Sequence, residues 1–382
     1  MQTTDTSSDT ATAATATTAD TAAATTTVAA KPSNMSITAT ITATSPSPAS
    51  TTSLIPTTSS TPLATAPAAT TVAPSIEILE THWDSYRLLD SGNRRKLEQF
   101  GTVRLIRSEP KAWWRPALPV AEWDKAVAVH EDDAREGRWR FTANAPRQWE
   151  LPFDAAGHRL RLQLRFTDSS KQIGVFPEQS PHWRHLAALR SNAPQIPSAP
   201  SAPESPTAPA PPLRVLNLFG YTGAATLVCA AAGCRVTHVD ASKPAVTWAR
   251  ANQELSGLAD APVRWFVEDA VKFVRREVKR GSRYDVVLLD PPAFGRGPDG
   301  ELWKIERDLP PLLDDCRAIL SERASLVLLT VYTIDASSIL CRNLLAQMTH
   351  GLGGKITSGE LTHRDEAGGR LLPLSLWGRW EA

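Results

Sequence analysis

The sequence has few cysteines, no long apolar run and almost no net charge, and each absence excludes a class of protein. Its four cysteines form no Cys-x-x-Cys pair, so neither a disulfide scaffold nor a metal site is expected; they are Cys229, Cys234, Cys316 and Cys341. No stretch approaches the ~18 apolar residues of a membrane-spanning helix. The net charge of +1 gives no overall reason to expect a nucleic-acid or membrane partner, although a local basic face is compatible with it.

Basic residues are missing from the start of the sequence, where the first is Lys31. A secretory signal with a basic n-region and an Arg-rich transit peptide are therefore not expected. Cys229 and Cys234 lie in a strongly apolar stretch, which is typical of buried free thiols in a reducing compartment. We expect a cytoplasmic protein.

Two tracts of biased composition flank the foldable parts of the chain. Residues 1–75 are almost entirely Thr, Ala, Ser and Pro, and residues 191–212 are rich in Pro, Ala and Ser. Such segments cannot bury enough apolar surface to offset the ordering of their backbone. We expect a disordered tail over 1–75 and a disordered insertion over 191–212.

The first foldable region, residues 76–165, is expected to be a small β-rich domain. In residues 158–166 Leu160, Leu162 and Leu164 alternate with arginines and a glutamine, which predicts a strand with one buried and one basic face. The region also carries tryptophans interleaved with arginines: Trp113, Trp114, Trp123, Trp139 and Trp149. These tryptophans suit either stacking on RNA bases or the core of a small β domain, and the sequence leaves both open.

The second region, residues 166–382, alternates strands and helices. Near-continuously apolar runs recur at 214–219, 235–240, 263–269, 284–290 and 324–332, with helix-like stretches after each. This pattern predicts a parallel sheet covered by helices on both faces. Two further strand-like runs, 355–363 and 370–380, have no helix between them and predict an antiparallel hairpin. The expected fold is an α/β, Rossmann-like domain with a mostly parallel seven-stranded sheet.

The predicted strands end in residues suited to a ligand. The first ends in a glycine turn, Asn217-Leu218-Phe219-Gly220-Tyr221-Thr222-Gly223, and the next three end in Asp240, Asp269 and Asp290. In open α/β sheets the ligand lies at the carboxyl ends of the strands. Asp240 is placed to bind the hydroxyls of a ribose, while any one of these acids could instead begin a helix.

The turn is not Gly-x-Gly-x-x-Gly, so an NAD-dependent dehydrogenase is disfavoured. No lysine is found among these strand ends to pair with a phosphate chain. Together the residues describe a site for a nucleoside with a positive charge and no phosphate, which is the description of S-adenosylmethionine.

The sequence here resembles a family, the class I S-adenosylmethionine-dependent methyltransferases. The glycine turn, the two following acids and Asp290-Pro291-Pro292-Ala293-Phe294 look like its successive motifs. The resemblance is closer to the bacterial large-subunit (23S) ribosomal RNA base methyltransferases, which also carry a Gly-x-Phe-x-x-Gln segment like residues 174–179 of this chain. It covers roughly residues 165–382.

The resemblance implies S-adenosylmethionine as cofactor and a set of site residues. The cofactor-binding set would be Phe176, Gln179, Asn217, Phe219, Gly220, Tyr221, Thr222, Gly223, Asp240, Ser242, Asp269, Ala270 and Asp290. Asp240 would bind the ribose and Asp269 the adenine amine. The catalytic set would be Asp290, Pro291, Pro292 and Phe294, with Asp290 facing the methyl acceptor and Phe294 stacking on a base.

One part of the family pattern is missing. The family's cytosine-5 enzymes attack the base with a cysteine from a Thr-Cys-containing stretch after the fifth strand, where this chain has Thr330-Val331-Tyr332-Thr333. Covalent cytosine-5 chemistry is therefore not expected, and a nitrogen acceptor fits Asp290 better. We expect methyl transfer to RNA, with ribosomal RNA as substrate. Two alternatives stay open: a protein or small-molecule acceptor, and a cofactor- or RNA-binding protein that has lost catalysis.

Overall fold

The structure, a computed structural model, describes residues 75–131, 137–168, 170–189, 211–332 and 334–382. The two tracts predicted to be disordered, 1–75 and 191–212, lie outside the described residues apart from residues 75, 211 and 212. No helix in the described ranges has the length and apolar character needed to cross a membrane.

The amino-terminal part is almost entirely β. In chain order its elements are β1 (Ile76–Glu80), β2 (Tyr86–Gly92), β3 (Arg95–Phe100), β4 (Val103–Ser108), the short helix α1 (Val120–Trp123), β5 (Ala128–Glu131), β6 (Arg138–Phe141), β7 (Gln148–Ala155) and β8 (His158–Arg165). Strands β2 to β6 form a five-stranded sheet in that order, and β7 pairs with β8 in a separate antiparallel hairpin. The alternation predicted for residues 158–166 is observed, since Leu160, Leu162 and Leu164 are buried.

A short 3-10 helix (Pro177–Gln179) and α2 (Ser180–Ala187) lead into the α/β part. Its elements are β9 (Arg214–Leu218), α3 (Ala224–Ala231), β10 (Arg235–Asp240), α4 (Lys243–Leu255), β11 (Val263–Val267), α5 (Ala270–Lys279), β12 (Val286–Leu289), β13 (Phe294–Arg296), β14 (Leu302–Lys304), α6 (Ile305–Ala318), β15 (Leu326–Tyr332), α7 (Ser338–Met348), β16 (Lys355–Arg364) and β17 (Leu371–Glu381). Every strand and helix predicted for this region is present at nearly the predicted bounds, and all of β12 is buried.

The large sheet has the spatial order β1-β16-β17-β15-β12-β9-β10-β11. Strands β9 to β12 and β15 run parallel, and β17 is antiparallel to both β15 and β16. The chain winds outward from β9 to β11 and then returns to β12 on the other side of β9. The strand order therefore reverses between β9 and β12, which is where ligands bind in such sheets.

The predicted class, a Rossmann-like α/β domain with a β-rich amino-terminal region, is confirmed. The sheet has eight strands, however, because β1 pairs in parallel with β16 at its edge and adds to the seven that were predicted. This strand belongs to the segment assigned to the small domain, and it pairs with a strand about 280 residues later (Ile76 with Ser358). No local pattern signals such a distant pairing, and the boundary near residue 165 stays a prediction.

Candidate active site

A cleft of about 800 Å³ lies at the carboxyl ends of β9 to β12 and β15. The predicted site residues that line it are Phe176, Phe219, Tyr221, Asp240, Ser242, Asp269, Ala270, Asp290, Pro291, Pro292 and Phe294. The other predicted residues line a smaller adjoining cavity; they are Gln179, Asn217, Gly220, Thr222 and Gly223. The fold thus brings residues from five separate segments to one place, and their individual roles stay predictions.

The glycine turn after β9 has an unusual backbone. Phe219 and Tyr221 adopt the left-handed conformation, with φ of 57° and 49°, although neither is glycine. Such conformations store strain and persist only where the surroundings hold them. A side chain at Gly220, between them, would meet the His238 ring at 2.4 Å. Gly220 is therefore needed for packing against β10.

Asp240, at the end of β10, holds this turn. Its Oδ2 accepts the backbone N–H of Tyr221 and its Oδ1 accepts that of Ser242, each at 2.8 Å. Burial raises the pKa of the carboxyl, and these two N–H groups oppose that shift. Each carboxylate oxygen can accept a second hydrogen bond. The side chain is thus fixed in place and still able to bind hydroxyl groups in the cleft.

Two other predicted residues begin helices. The Asp269 Oδ1 accepts the backbone N–H of Lys272 at 2.9 Å and caps α5, while Ser242 caps α4 through the N–H of Ala245. The sequence left open whether Asp269 caps a helix or binds a ligand, and the structure gives it the first role. Its Oδ2 has no hydrogen bond within the described chain, so the adenine role predicted for Asp269 is compatible with the cap.

Asp290 lies at the end of β12 and is connected to the end of β15. The Thr330 hydroxyl donates to the Asp290 Oδ1. The Gln179 side-chain amide donates to both the Thr330 hydroxyl at 3.2 Å and the Tyr332 hydroxyl at 2.9 Å. Burial raises the pKa of Asp290 to about 7, opposed by the Thr330 hydrogen bond and reinforced by the Glu178 charge. A carboxyl group with this pKa can exchange a proton near neutral pH.

Aromatic rings surround this carboxyl group. The Phe176 ring lies 5.6 Å from both the Tyr221 and the Tyr332 rings. Beyond the two prolines, Trp303 of β14 donates to the Pro292 carbonyl at 2.6 Å, which ties the β13–β14 hairpin to the loop. Phe294, the first residue of that hairpin, is 55% exposed and belongs to the cleft wall rather than to the core.

Several residues of the site were missed from the sequence. In the sequence, Thr330 and Tyr332 drew attention only because their stretch lacks a cysteine. Polar residues at the end of a strand nevertheless indicate a ligand site, as Asp240 does. The cleft wall also includes Arg165 and Trp248, whose guanidinium and ring lie 4.0 Å apart. They come from β8 and α4, and nothing local in the sequence indicates that these two elements meet.

The cysteines and most of the interleaved tryptophans belong to the packed interior of the protein. No disulfide joins the four cysteines, and all four are buried, so none faces the cleft. Of the five interleaved tryptophans, Trp123 is buried, while Trp139 and Trp149 pack on Phe166 with ring centroids 4.6 and 5.1 Å away. Trp113 is 77% exposed. Most of this set therefore forms the β core.

Within the described ranges no group of acidic, histidine or cysteine side chains is placed to hold a metal.

The chain is similar to known proteins over parts of its length. Residues 207–298 match a family described as Conserved hypothetical protein 95. The chain is 42% identical over 82 residues to ribosomal RNA large subunit methyltransferase I of Klebsiella pneumoniae, covering 21% of this chain and 20% of that protein. It is 31% identical over 115 residues to methyltransferase K/L of Shewanella frigidimarina, covering 30% of this chain and 16% of that protein. The chain thus matches about a fifth of the length of these relatives.

Solved structures match over far more of the chain. A SAM-dependent methyltransferase from Agrobacterium tumefaciens is 44% identical, with a TM-score of 0.71 over 81% of this chain and 95% of that one. The protein SMU.776, crystallised with SAH, is 17% identical, with a TM-score of 0.56 over 78% of this chain and 75% of that one, and shares the fold.

The fold and the strand-end cleft define a class I methyltransferase. With 44% identity over nearly the whole of the Agrobacterium protein, the chain belongs to the SAM-dependent methyltransferases.

Proposed function

We propose that this protein transfers the methyl group of S-adenosylmethionine to a base of RNA, with ribosomal RNA as the substrate. The observation that carries the proposal is Asp290, a carboxyl group with its pKa raised to about 7 by burial, on the wall of a cleft that also contains Asp240. The matched segments of the ribosomal RNA methyltransferases favour the same substrate class. This function would place the protein in the cytoplasm, where ribosomes are made.

The cleft fits the cofactor. Its volume of about 800 Å³ accommodates a nucleoside with a methionine tail, together with part of an acceptor. Asp240 would accept the ribose hydroxyls, Asp269 the adenine amine, and the turn from Phe219 to Gly223 would pass beneath the methionine part. When bound, S-adenosylmethionine supplies an electrophilic methyl group on a positively charged sulfur.

Asp290 would act on the methyl acceptor. Its carboxylate can accept a hydrogen bond from the amine or ring N–H of a base and take up the proton released when that nitrogen is methylated. Thr330 fixes the orientation of the carboxylate, and Gln179 fixes Thr330 and Tyr332. Holding the nitrogen in line with the methyl group supplies much of the rate acceleration.

The surrounding residues would hold the base and exclude water. Pro291 and Pro292 restrict the loop that presents Asp290, so little entropy is lost when an acceptor binds. Phe294 is exposed in the cleft and offers a face for stacking on a base. Since no cysteine faces the cleft, the proposed acceptor is a nitrogen rather than carbon 5 of cytosine.

The direct test incubates purified protein and S-adenosylmethionine, labelled in its methyl group, with ribosomal RNA from cells that lack the protein. We expect label in one methylated nucleoside, identified by mass spectrometry, and a rate of labelling about 10²- to 10⁴-fold lower with Asp290→Asn. The same nucleoside should be missing from the ribosomal RNA of those cells. Lys279→Gln, which changes an exposed charge at the far end of α5, is the matched control and should label normally.

The test also separates the alternatives. Label in protein or in small molecules, with none in RNA, would move the function to another acceptor. Cofactor binding by calorimetry without label in any fraction would favour a cofactor-binding protein that has lost catalysis.

A further inference from the structure

A second, smaller cavity opens beside the acceptor side of the cleft. It has a volume of about 210 Å³, and Phe176, Gln172 and Tyr332 line both spaces. We call it the side pocket and define it by its charged wall, which consists of Lys96, Arg107, Glu109, Lys111, Lys171 and Glu178. The side pocket joins the amino-terminal β sheet to the cleft, because the first four of these residues lie on or near β3 and β4.

The wall of the side pocket holds more positive than negative groups. Lys96, Arg107, Lys111 and Lys171 carry positive charge, against the two carboxyl groups of Glu109 and Glu178. Burial raises the pKa of Glu178 and so disfavours its charged form. Arg107 is held by Glu98 behind the wall, at 2.6 and 2.7 Å. Lys111, which has no ion-pair partner within the described ranges, supplies positive charge to the wall.

Lys111 is held in place with capacity to bind a ligand. The Lys111 ammonium donates to the Leu374 carbonyl at 2.6 Å and makes no ion pair with a carboxylate of the described chain. An ammonium group has three N–H donors, so two of those on Lys111 stay available. The Lys96 ammonium lies 3.5 and 3.7 Å from Glu98 and Glu109, which is longer than a charged hydrogen bond.

We infer that the side pocket binds a phosphate group of the nucleotide whose base enters the cleft. Because Phe176 and Tyr332 line both spaces, the pocket adjoins the cleft that Asp290 also lines. RNA bases are read when they are unstacked and splayed out, with positive side chains on the adjacent phosphate. The pocket volume accommodates one phosphate and a few waters, since a water occupies about 30 Å³. This inference rests on the proposed function and narrows the substrate to a phosphorylated nucleotide.

The experiment measures binding of a fluorescein-labelled single-stranded RNA by anisotropy at several KCl concentrations, with S-adenosylhomocysteine present. Lys111→Gln should weaken binding about fivefold to tenfold. It should also reduce the slope of log affinity against log salt by about 0.7, because one phosphate contact is lost. Lys111→Arg should keep the wild-type slope. Lys279→Gln, an exposed lysine on α5, should leave both quantities unchanged.

A competition arm uses the four 5′-mononucleotides and their nucleosides in place of the labelled RNA. At least one mononucleotide should displace the RNA better than its nucleoside, and Lys111→Gln should abolish that advantage. A wild-type slope in Lys111→Gln would overturn the side pocket while leaving RNA as the acceptor. A protein that binds S-adenosylhomocysteine but neither RNA nor mononucleotides would overturn both proposals. Binding of mononucleotides without RNA would support the pocket and reject the RNA substrate.

Discussion

Two carboxyl groups, one in each sheet, differ in their surroundings. In the amino-terminal sheet Glu98 is completely buried and faces Arg107 across two hydrogen bonds, with Tyr86 and Lys96 beside it. Burial alone would raise the pKa of Glu98, but Arg107 and Lys96 outweigh it and lower the pKa to about 2. In the large sheet the Asp290 side chain accepts a hydrogen bond from the Thr330 hydroxyl, and its pKa rises to about 7.

The difference shows how to distinguish a carboxyl group with a structural role from one that can take part in proton transfer. Because its pKa is lowered to about 2, Glu98 is charged near neutral pH, so it can hold β3 to β4 but cannot exchange a proton there. Asp290 has no ion-pair partner among the residues that the structure describes, and it lines the cleft. Burial of a carboxyl group therefore does not by itself indicate its function. Whether a cation is paired with the carboxyl group decides whether that group can exchange a proton near neutral pH.

The largest expected effect comes from Asp290→Asn, which keeps the shape and removes the ionisable group. Methyl transfer should fall by about 10²- to 10⁴-fold, the usual contribution of a general base. Affinity for S-adenosylmethionine should stay near the wild-type value in calorimetry, and the midpoint of thermal unfolding should not fall. Normal turnover in the variant would place Asp290 in the same structural class as Glu98.

Arg107→Met tests the other side of the comparison. It leaves the Glu98 carboxylate buried without its main partner, which should cost about 3–5 kcal/mol in the free energy of unfolding. Urea unfolding at neutral pH measures this. The double variant Glu98→Leu with Arg107→Met should recover much of the loss, because no buried charge is left alone. If the single variant were as stable as the wild type, the pair would have no structural role.

Asp240→Asn should have a smaller effect, on binding rather than on folding. The amide keeps one oxygen acceptor but loses the charge and one acceptor, so the cofactor should lose about 1.5–3 kcal/mol of binding free energy. Calorimetry with S-adenosylhomocysteine measures the change. Asp285→Asn, which alters a carboxylate at the opposite end of the sheet, is the matched control. Equal affinity in wild type and Asp240→Asn would mean that Asp240 only holds the Tyr221 turn.

Asp269→Ala should remove the cap of α5 and cost about 1 kcal/mol of stability, while Asp269→Asn should restore it because asparagine caps equally well. Comparing the two variants separates the cap from the predicted contact with adenine. If Asp269→Asn is stable yet binds the cofactor more weakly, the carboxylate contacts the ligand as well. If it binds normally, Asp269 serves the helix alone.

The sequence was sufficient for features that depend on neighbouring residues. Apolar runs ending in Asp240, Asp269 and Asp290 predict parallel strands and a cleft at their ends, and both are present. It was insufficient where distant segments meet. The hydrogen bond from Thr330 to Asp290 joins residues 40 apart, and β1 pairs with a strand near the end of the chain. In both cases, the local sequence around one partner does not indicate which distant residue or strand it contacts.

The smallest expected effect concerns the pH dependence set by Thr330. The rate should rise with pH and level off above about 7, since Asp290 accepts a proton only in its charged form. The Thr330 hydrogen bond lowers the pKa of Asp290, so Thr330→Val should move the inflection of the pH–rate profile to higher pH. At a pH well above the inflection its rate should approach that of the wild type, whereas Thr330→Ser should keep the original profile. A valine variant with an unshifted inflection would mean that another group sets the profile, because losing a hydrogen bond to the charged carboxylate must favour its protonated form.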